Sequence, residues 1–425
     1  MEIRAAIVRT AHGGFSDLRT CHDAAPRHTA VMTTSSPISR RRLLQRAAVL
    51  GAGTSLGAAW IVRAAAPRAE VLQTRVISQC ARHYHGWPTL AQRKNGELLL
   101  VCSGGRQAHV CPFGQVELMQ SRDGGATWTF PRVLLDGPID DRDAGVVETA
   151  KGTLLATTFS SLAYEPILER AEKAIGTATA WPAEKLDAWR GVHARHDAAT
   201  RKRELGTWML RSTDGGVTWS PRYDCIVNSP HGPFAAADGR MLYAGKDLWK
   251  TGNWNGVCES VDDGQTWRKL APIPTRPGDK AADYHELHGV QAADGRLLVH
   301  LRNHNATDAR ETLQSESVDG GKTWTAPRAI GVWGLPSHLL RLKDGRLLMS
   351  YGHRRKPFGN QARVSADHGK TWSEPMTISA DGLGGDLGYP STVELEDGSL
   401  LTAWYEVLAG NALAVLRQSR WKLKS

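Results

Sequence analysis

Five copies of one phrase, Ser-x-Asp-x-Gly-x-Thr-Trp, constrain this chain more than any other feature. They start at Ser121, Ser212, Ser260, Ser317 and Ser365 and end at Trp128, Trp219, Trp267, Trp324 and Trp372. Each reads as a tight strand-to-strand turn. The Ser hydroxyl and Asp carboxylate accept hydrogen bonds from turn N–H groups, the Gly takes a positive φ, and the Trp anchors the turn on a neighbouring sheet. A second repeat interleaves with the first: X-Gly turns between apolar runs, at Gly96, Gly152, Gly239, Gly295, Gly345 and Gly398. Each unit therefore reads strand A, Gly turn, strand B, strand C, phrase turn, strand D. Successive phrases lie 48 to 57 residues apart, except for a gap of 91 between Asp123 and Asp214. A four-stranded unit repeated at this length predicts an all-β fold, a six-bladed β-propeller whose last blade lacks the phrase.

Propeller geometry then sorts the loops. A–B and C–D turns share one face, and here they are short, so anything long lies on the other face. The extra length of blade two, residues 162–204, falls between strands B and C and so on that second face. Apolar residues at helical spacing (Leu168, Ala171, Ala174, Ile175, then Leu186, Trp189, Val192) predict a helical hairpin. Beside a pocket it would form a lid or a specificity wall, and elsewhere a solvated decoration.

The starts of the A strands and the ends of the B strands ring the central funnel on the same face. Before the Gly turns stand His83, Tyr84, His85 and Trp87, then Asp140, Asp141, Arg142 and Asp143, then His231. Later blades add His285, Glu286 and His288, then His338, then Tyr389. Strand-B ends supply Arg106 and His109, Lys246 and Asp247, Arg302 and His304, His353 to Arg355, and Tyr405 with Glu406. A scaffold has no need of titratable groups converging from every blade, so the set predicts a binding or catalytic funnel. No metal or other cofactor is expected: there is no HExxH pattern, and His285 with His288 are too few ligands.

The formal net charge of +10 is concentrated near the N-terminus. Residues 1–66 hold nine Arg against three acids, a local +6, which leaves +4 for the rest. A nucleic-acid partner is not implied. Ser39-Arg40-Arg41-Arg42-Leu43-Leu44-Gln45, followed by an apolar run from Ala47 to Val62, resembles a twin-arginine export signal. The expectation is an N-terminal extension and signal over 1–69, a propeller over 70–425, and a periplasmic or secreted product without a membrane span once the signal is cleaved. In the predicted mature chain Cys80, Cys102, Cys111, Cys225 and Cys258 are odd in number and form no CxxC pair, so buried free thiols are expected rather than disulfides.

From about Tyr84 onward the pattern resembles the Asp-box proteins, whose best-known members are the sialidases. In that family the boxes are structural and lie away from the active site. The resemblance implies chemistry at matching positions. HELHGVQAADGRLLVHLRN carries Glu286 and Arg302 where the family has its Glu and a carboxylate-binding Arg. GYPSTVELEDGSLLTAWYE carries Tyr389 at the family nucleophile, followed by Tyr405 and Glu406. Arg354 or Arg355 matches a further Arg. On this resemblance Glu286 is the base, Tyr389 the nucleophile, Arg302 and Arg354 the carboxylate clamp, and Glu406 the orienter of an Arg. A Tyr nucleophile suits a sugar whose anomeric carbon bears a carboxylate, because an Asp or Glu would be repelled.

Two departures stand out. Gly86-Trp87-Pro88 replaces the family's Arg-Ile-Pro phrase, so one arm of the arginine triad is missing. The loop holding the family's acid Asp here contains Arg106 and His109 but no Asp. His109 is one candidate acid, and Asp141 or Asp143 from blade two are others. The remaining funnel residues, Arg106, His85, Asp141, His231, Lys246, His338 and Glu406, are expected to contact substrate. The leading expectation is a Tyr-nucleophile retaining exo-glycosidase acting on a terminal sialic or related ulosonic acid. Two other readings stay open: histidine-based glycosidase or lyase chemistry on uronate polysaccharide, and a non-catalytic glycan-binding propeller.

Overall fold

The structure, a computed structural model, describes residues 66–80, 82–249 and 254–424, and the segment read as an export signal lies outside them. Six four-stranded antiparallel sheets form the blades. Blade one runs Tyr84–Gln92, Leu98–Arg106, Gln115–Ser121 and Arg132–Leu135. Blade two runs Asp140–Glu148, Leu154–Ser161, Thr207–Ser212 and Tyr223–Asp224; blade three Phe234–Ala235, Met241–Lys246, Asn255–Ser260 and Arg268–Pro272. Blade four runs Tyr284–Gln291, Leu297–Asn303, Glu311–Ser317 and Arg328–Trp333; blade five Ser337–Arg341, Leu347–His353, Phe358–Ser365 and Met376–Gly382. Blade six holds Leu387–Glu394, Leu400–Glu406 and Val415–Lys424. Its fourth strand is Arg68–Val76, from the other end of the chain, with Arg68 opposite Lys424. Sequence reasoning missed this closure, because the strand carries neither repeat.

The five phrase turns repeat one hydrogen-bond scheme. In every copy the Ser hydroxyl donates to the Asp at 2.8 Å. The Gly N–H donates back to that Ser oxygen at 2.8–2.9 Å. The Asp also accepts from the Thr N–H and hydroxyl. Gly125 has φ 83°, and a Cβ there would meet Leu401 Cδ2 at 2.7 Å, so only glycine fits. The Trp residues work across blades: Trp128 packs into the blade-six core, Trp219 into blade one, Trp267 into blade two, Trp324 into blade three and Trp372 into blade four. Between blades five and six, where no phrase exists, Trp404 and Trp421 fill the gap.

The insertion of blade two is helical, as expected, but has three helices rather than two: Glu165–Lys173, Ala183–His193 and Ala198–Arg203. Leu168, Ala171, Leu186 and Trp189 are buried with Cys111 and Tyr164, whereas Ile175 is exposed. Phe113 and Val110 of blade one's B–C loop pack against the same cluster, and Trp189 Nε1 donates to Gln107 Oε1 at 3.1 Å. The insertion therefore braces the loop that carries His109. Cys102, Cys111, Cys225 and Cys258 are buried free thiols, and Cys80 is half-buried.

Candidate active site

Strand A is bulged in four blades, and each bulge presents one residue in the left-handed region. These are Trp87 (φ 52°), Asp143 (φ 43°), Glu286 (φ 44°) and Tyr389 (φ 52°). The pairing register breaks across each of them. Non-glycine residues resist this conformation, at about 1–3 kcal/mol each, so the surrounding sheets must hold it. All four stand nine residues before the Gly of their A–B turn: Gly96, Gly152, Gly295 and Gly398. That constant offset was legible in the sequence and would have singled out Trp87 and Asp143 as equivalents of Glu286 and Tyr389.

The bulges converge. The Tyr389 hydroxyl donates to Glu286 Oε1 at 2.5 Å, and Arg302 Nη1 donates to Glu286 Oε2 at 2.5 Å and to Tyr389 Oη at 3.1 Å. Arg354 lies with Cζ 5.5 Å from the Tyr389 ring centroid, its Nε donating to the Leu387 carbonyl. Arg355 instead stacks on Trp333, so of the two arginines Arg354 is the one beside Tyr389. Burial alone would raise the Glu286 carboxyl, but Arg302, the Tyr389 hydroxyl and Arg354 outweigh it and hold it at about 2. Burial, and then Glu286, pushes the Tyr389 phenol well above its usual range. Asp143 is pushed up to about 7 by burial and the negative Glu286, against the pull of Arg142, Arg106 and Arg302.

A second group faces the first. His109 Nδ1 lies 2.9 Å from both Asp386 Oδ1 and the Tyr84 hydroxyl. Tyr84 and Tyr405 both donate to Asp386, at 3.0 and 3.1 Å. Asp386 thereby orients the imidazole through Nδ1, with the His109 side chain 47% exposed. Burial depresses the His109 pKa, with Asp386 opposing and Arg142 reinforcing the shift. Trp87, 1% exposed, lies beneath, with its ring 4.9 Å from His109 and 6.4 Å from Tyr389. Sequence reasoning missed Asp386, which stands three residues before Tyr389 in an otherwise featureless Gly-rich loop.

Seven expected substrate contacts are not brought into this group. Arg106 is wholly buried in a bidentate pair with Asp140, at 2.7 and 3.0 Å. His85 turns into blade one, with Nδ1 3.2 Å from Ser78 Oγ and Nε2 3.5 Å from Glu117. Asp141 accepts from the Gly137 N–H at 2.6 Å. Burial pushes its carboxyl up to about 8, with Arg222, not a funnel residue, beside it. Lys246 donates to the Ala282 carbonyl at 2.6 Å and is pushed down to about 8 by burial. His231 and His338 pack with His288 in a buried triangle, with ring centroids 4.6–5.3 Å apart. Glu406 does orient an Arg, but inside blade six and away from the funnel group: it holds Arg417 at 2.6 Å and accepts from Trp404 at 2.6 Å. The shared reason is strand alternation: of the residues preceding each turn, only those on one side of the strand face the axis, and the bulge picks one of them.

Among the described residues, no group of three or more His, Cys, Asp or Glu has the geometry to hold a metal ion. The histidine triangle shows why. His288 and His338 spend Nδ1 accepting the backbone N–H groups of Leu339 and Thr392, which puts the ring protons on the Nε2 atoms that a metal would need bare.

The six-bladed ring with its repeated Asp turns is that of the sialidase superfamily. Within it, the chain belongs to the BNR repeat-like domain family, which matches residues 176–401. Among curated relatives it is 29% identical over 172 residues to a sialidase of Micromonospora viridifaciens, covering 33% of this chain and 27% of that one. It is also 29% identical over 170 residues to a xyloglucanase of a Paenibacillus species, covering 35% of this chain and 16% of that one. The chain thus spans about a quarter or less of the curated relatives it matches. Among solved structures, a protein of unknown function from Dyadobacter fermentans superposes with TM-score 0.65 at 23% identity, covering 84% of this chain and 99% of that one. The intramolecular trans-sialidase of Ruminococcus gnavus superposes with TM-score 0.57 at 14% identity, covering 80% and 94%. These structural likenesses show a shared fold.

Proposed function

We propose that this protein is a retaining exo-glycosidase that releases a terminal acidic sugar, sialic acid or a related ulosonic acid, through a Tyr389 nucleophile. The observation that carries the reading is the Tyr389–Glu286 hydrogen bond of 2.5 Å with Arg302 bridging both groups. A phenol buried beside a carboxylate is a poor structural element and a good nucleophile–base pair. In the first step Tyr389 Oη bonds to the anomeric carbon and its proton passes to Glu286. The glycosidic C–O bond breaks, and the leaving oxygen takes a proton from His109. In the second step water attacks the anomeric carbon and gives a proton to His109, while the Tyr–sugar bond breaks and Tyr389 recovers its proton from Glu286. Because the carboxyl sits at about 2 and the phenol well above its usual range, the proton moves only as the new C–O bond forms. Arg302 and Arg354 would hold the sugar carboxylate.

The sialidase relatives support a glycan-active reading, and the export-type N-terminal segment fits an extracytoplasmic glycan. The histidine-based alternative loses support, since His231, His288 and His338 are sealed below the funnel. The test is turnover of a fluorogenic sialoside and of ulosonic and uronic glycosides, with Tyr389→Phe alongside. Turnover lost on the order of a thousandfold or more, with the fold intact, is expected. Full activity in the variant rejects the nucleophile. Binding without turnover of any substrate would leave a lectin-like propeller.

A further inference from the structure

In the funnel, Arg142 has no evident structural duty. It precedes the bulged Asp143 and lays its guanidinium over Trp87, with Cζ 4.7 Å from the ring centroid. Its Nε is buried without a hydrogen-bond partner, and among the described residues no carboxylate pairs with it. The neighbouring arginines differ. Arg106, 5.0 Å from the same ring, is locked to Asp140, and Arg302 is paired with Glu286. Asp143, the next residue to Arg142, is pushed up to about 7 by burial and Glu286, so it offers only a partial counter-charge near neutral pH. A half-buried guanidinium with an orphaned N–H over an aromatic platform is an anion receptor awaiting its anion.

Position supports this. Gly86, next to Trp87, stands where the resemblance calls for an arginine in blade one. The Trp87 ring is 6.4 Å from that of Tyr389, over which Arg354 lies. Arg142 and Arg302 both act on the Asp143 carboxyl, and Arg302 and Arg354 both act on the Tyr389 phenol, so the three guanidinium groups lie about the same Asp143–Tyr389 neighbourhood.

We propose that Arg142, delivered from blade two and steered by Trp87, is the third arm of the carboxylate clamp, a substitution of site for site rather than a loss. This rests on the reading of the funnel as an acidic-sugar site. Trp87 is then a positioning residue: a flat buried support that fixes the guanidinium plane toward the ligand.

The test is calorimetric binding of N-acetylneuraminic acid and of its methyl ester to the intact protein and to Arg142→Ala, Arg142→Lys, Arg302→Ala and Trp87→Leu variants. The wild type is expected to prefer the free acid. Arg142→Ala should cut that preference roughly 10- to 100-fold, as loss of a charge-assisted pair does, with the ester unaffected. Arg142→Lys, which keeps the charge and the fold, should recover only part of it. Trp87→Leu should resemble Arg142→Ala. If Arg302→Ala erases the preference while Arg142→Ala leaves it whole, the third arm is overturned and the acidic-sugar site stands. If the wild type binds acid and ester alike, or neither, both fall.

Discussion

At the residue scale, four backbone positions held in the left-handed region do the selecting. A bulge that costs energy in every blade where it occurs is retained at Trp87, Asp143, Glu286 and Tyr389, and in blades three and five the equivalent positions are Pro230 and Pro336. One of these, Asp143, competes with His109 of blade one's B–C loop for the role of acid, and pH separates them. If His109 is the acid, the rate falls as pH rises through a value below the usual histidine range, because burial depresses it. His109→Ala should then lose roughly 10²- to 10⁴-fold on a poor leaving group and far less on a nitrophenyl glycoside. A limb near 7 that vanishes in Asp143→Asn would transfer the role to Asp143. Asp141 makes a separate stability prediction. Its carboxyl, pushed up to about 8 in the fold against ~4 when unfolded, keeps a proton that the unfolded chain has lost. Stability therefore falls as pH rises from about 4 to about 8. Denaturant midpoints of Asp141→Asn should be flatter across that window, and a slope equal to the wild type's would refute the assignment.

At the element scale, the phrase turn is a clip between blades and the insertion is a brace. Trp324 is 7% exposed, lies in the core shared by blades three and four, and donates its N–H to its own turn at Gly321. Trp324→Ala should cost about 3–5 kcal/mol by chemical denaturation, with the funnel chemistry unchanged in the folded fraction. Replacing residues 163–204 with a short loop would bare Cys111, Phe113 and Val110 and loosen the loop that carries His109. One cooperative melting transition with altered leaving-group preference is expected; unchanged kinetics would make the helices mere decoration. These elements also mark how far the sequence could be read. Turn residues at fixed spacing report backbone geometry directly, so the blades and the Gly turns were legible, whereas Glu286, Tyr389 and Arg302 were picked out by the family resemblance. The direction of His85, Asp141, Lys246 and Glu406 was not, because it depends on strand alternation and on partners such as Glu117, Gly137 and Arg417 that lie far away in sequence or carry no signal of their own.

At the scale of the whole molecule, six sheets around an axis gather groups that no single blade could assemble: Tyr389 from blade six, Glu286 and Arg302 from blade four, Arg142 and Asp143 from blade two, His109 from blade one. The site is thus only as well ordered as the ring. Blade six is held shut by Arg68–Val76, whose eight pairings with Val415–Lys424 include the Thr74–Ser419 contact of 2.6 Å. Removing residues 68–76 should depress the thermal midpoint and the activity together, and a truncated chain with full activity would show that the ring tolerates a gap.

The same seam makes the chain almost endless. Arg68 and Lys424 face each other across one sheet, so a short peptide joining them would turn the propeller into a closed circle that could be reopened elsewhere. Reopening at a phrase turn such as Asp319–Lys322, on the face away from the funnel, would move both ends to a chosen blade. The chemistry would then belong to the ring itself, indifferent to where the ribosome begins.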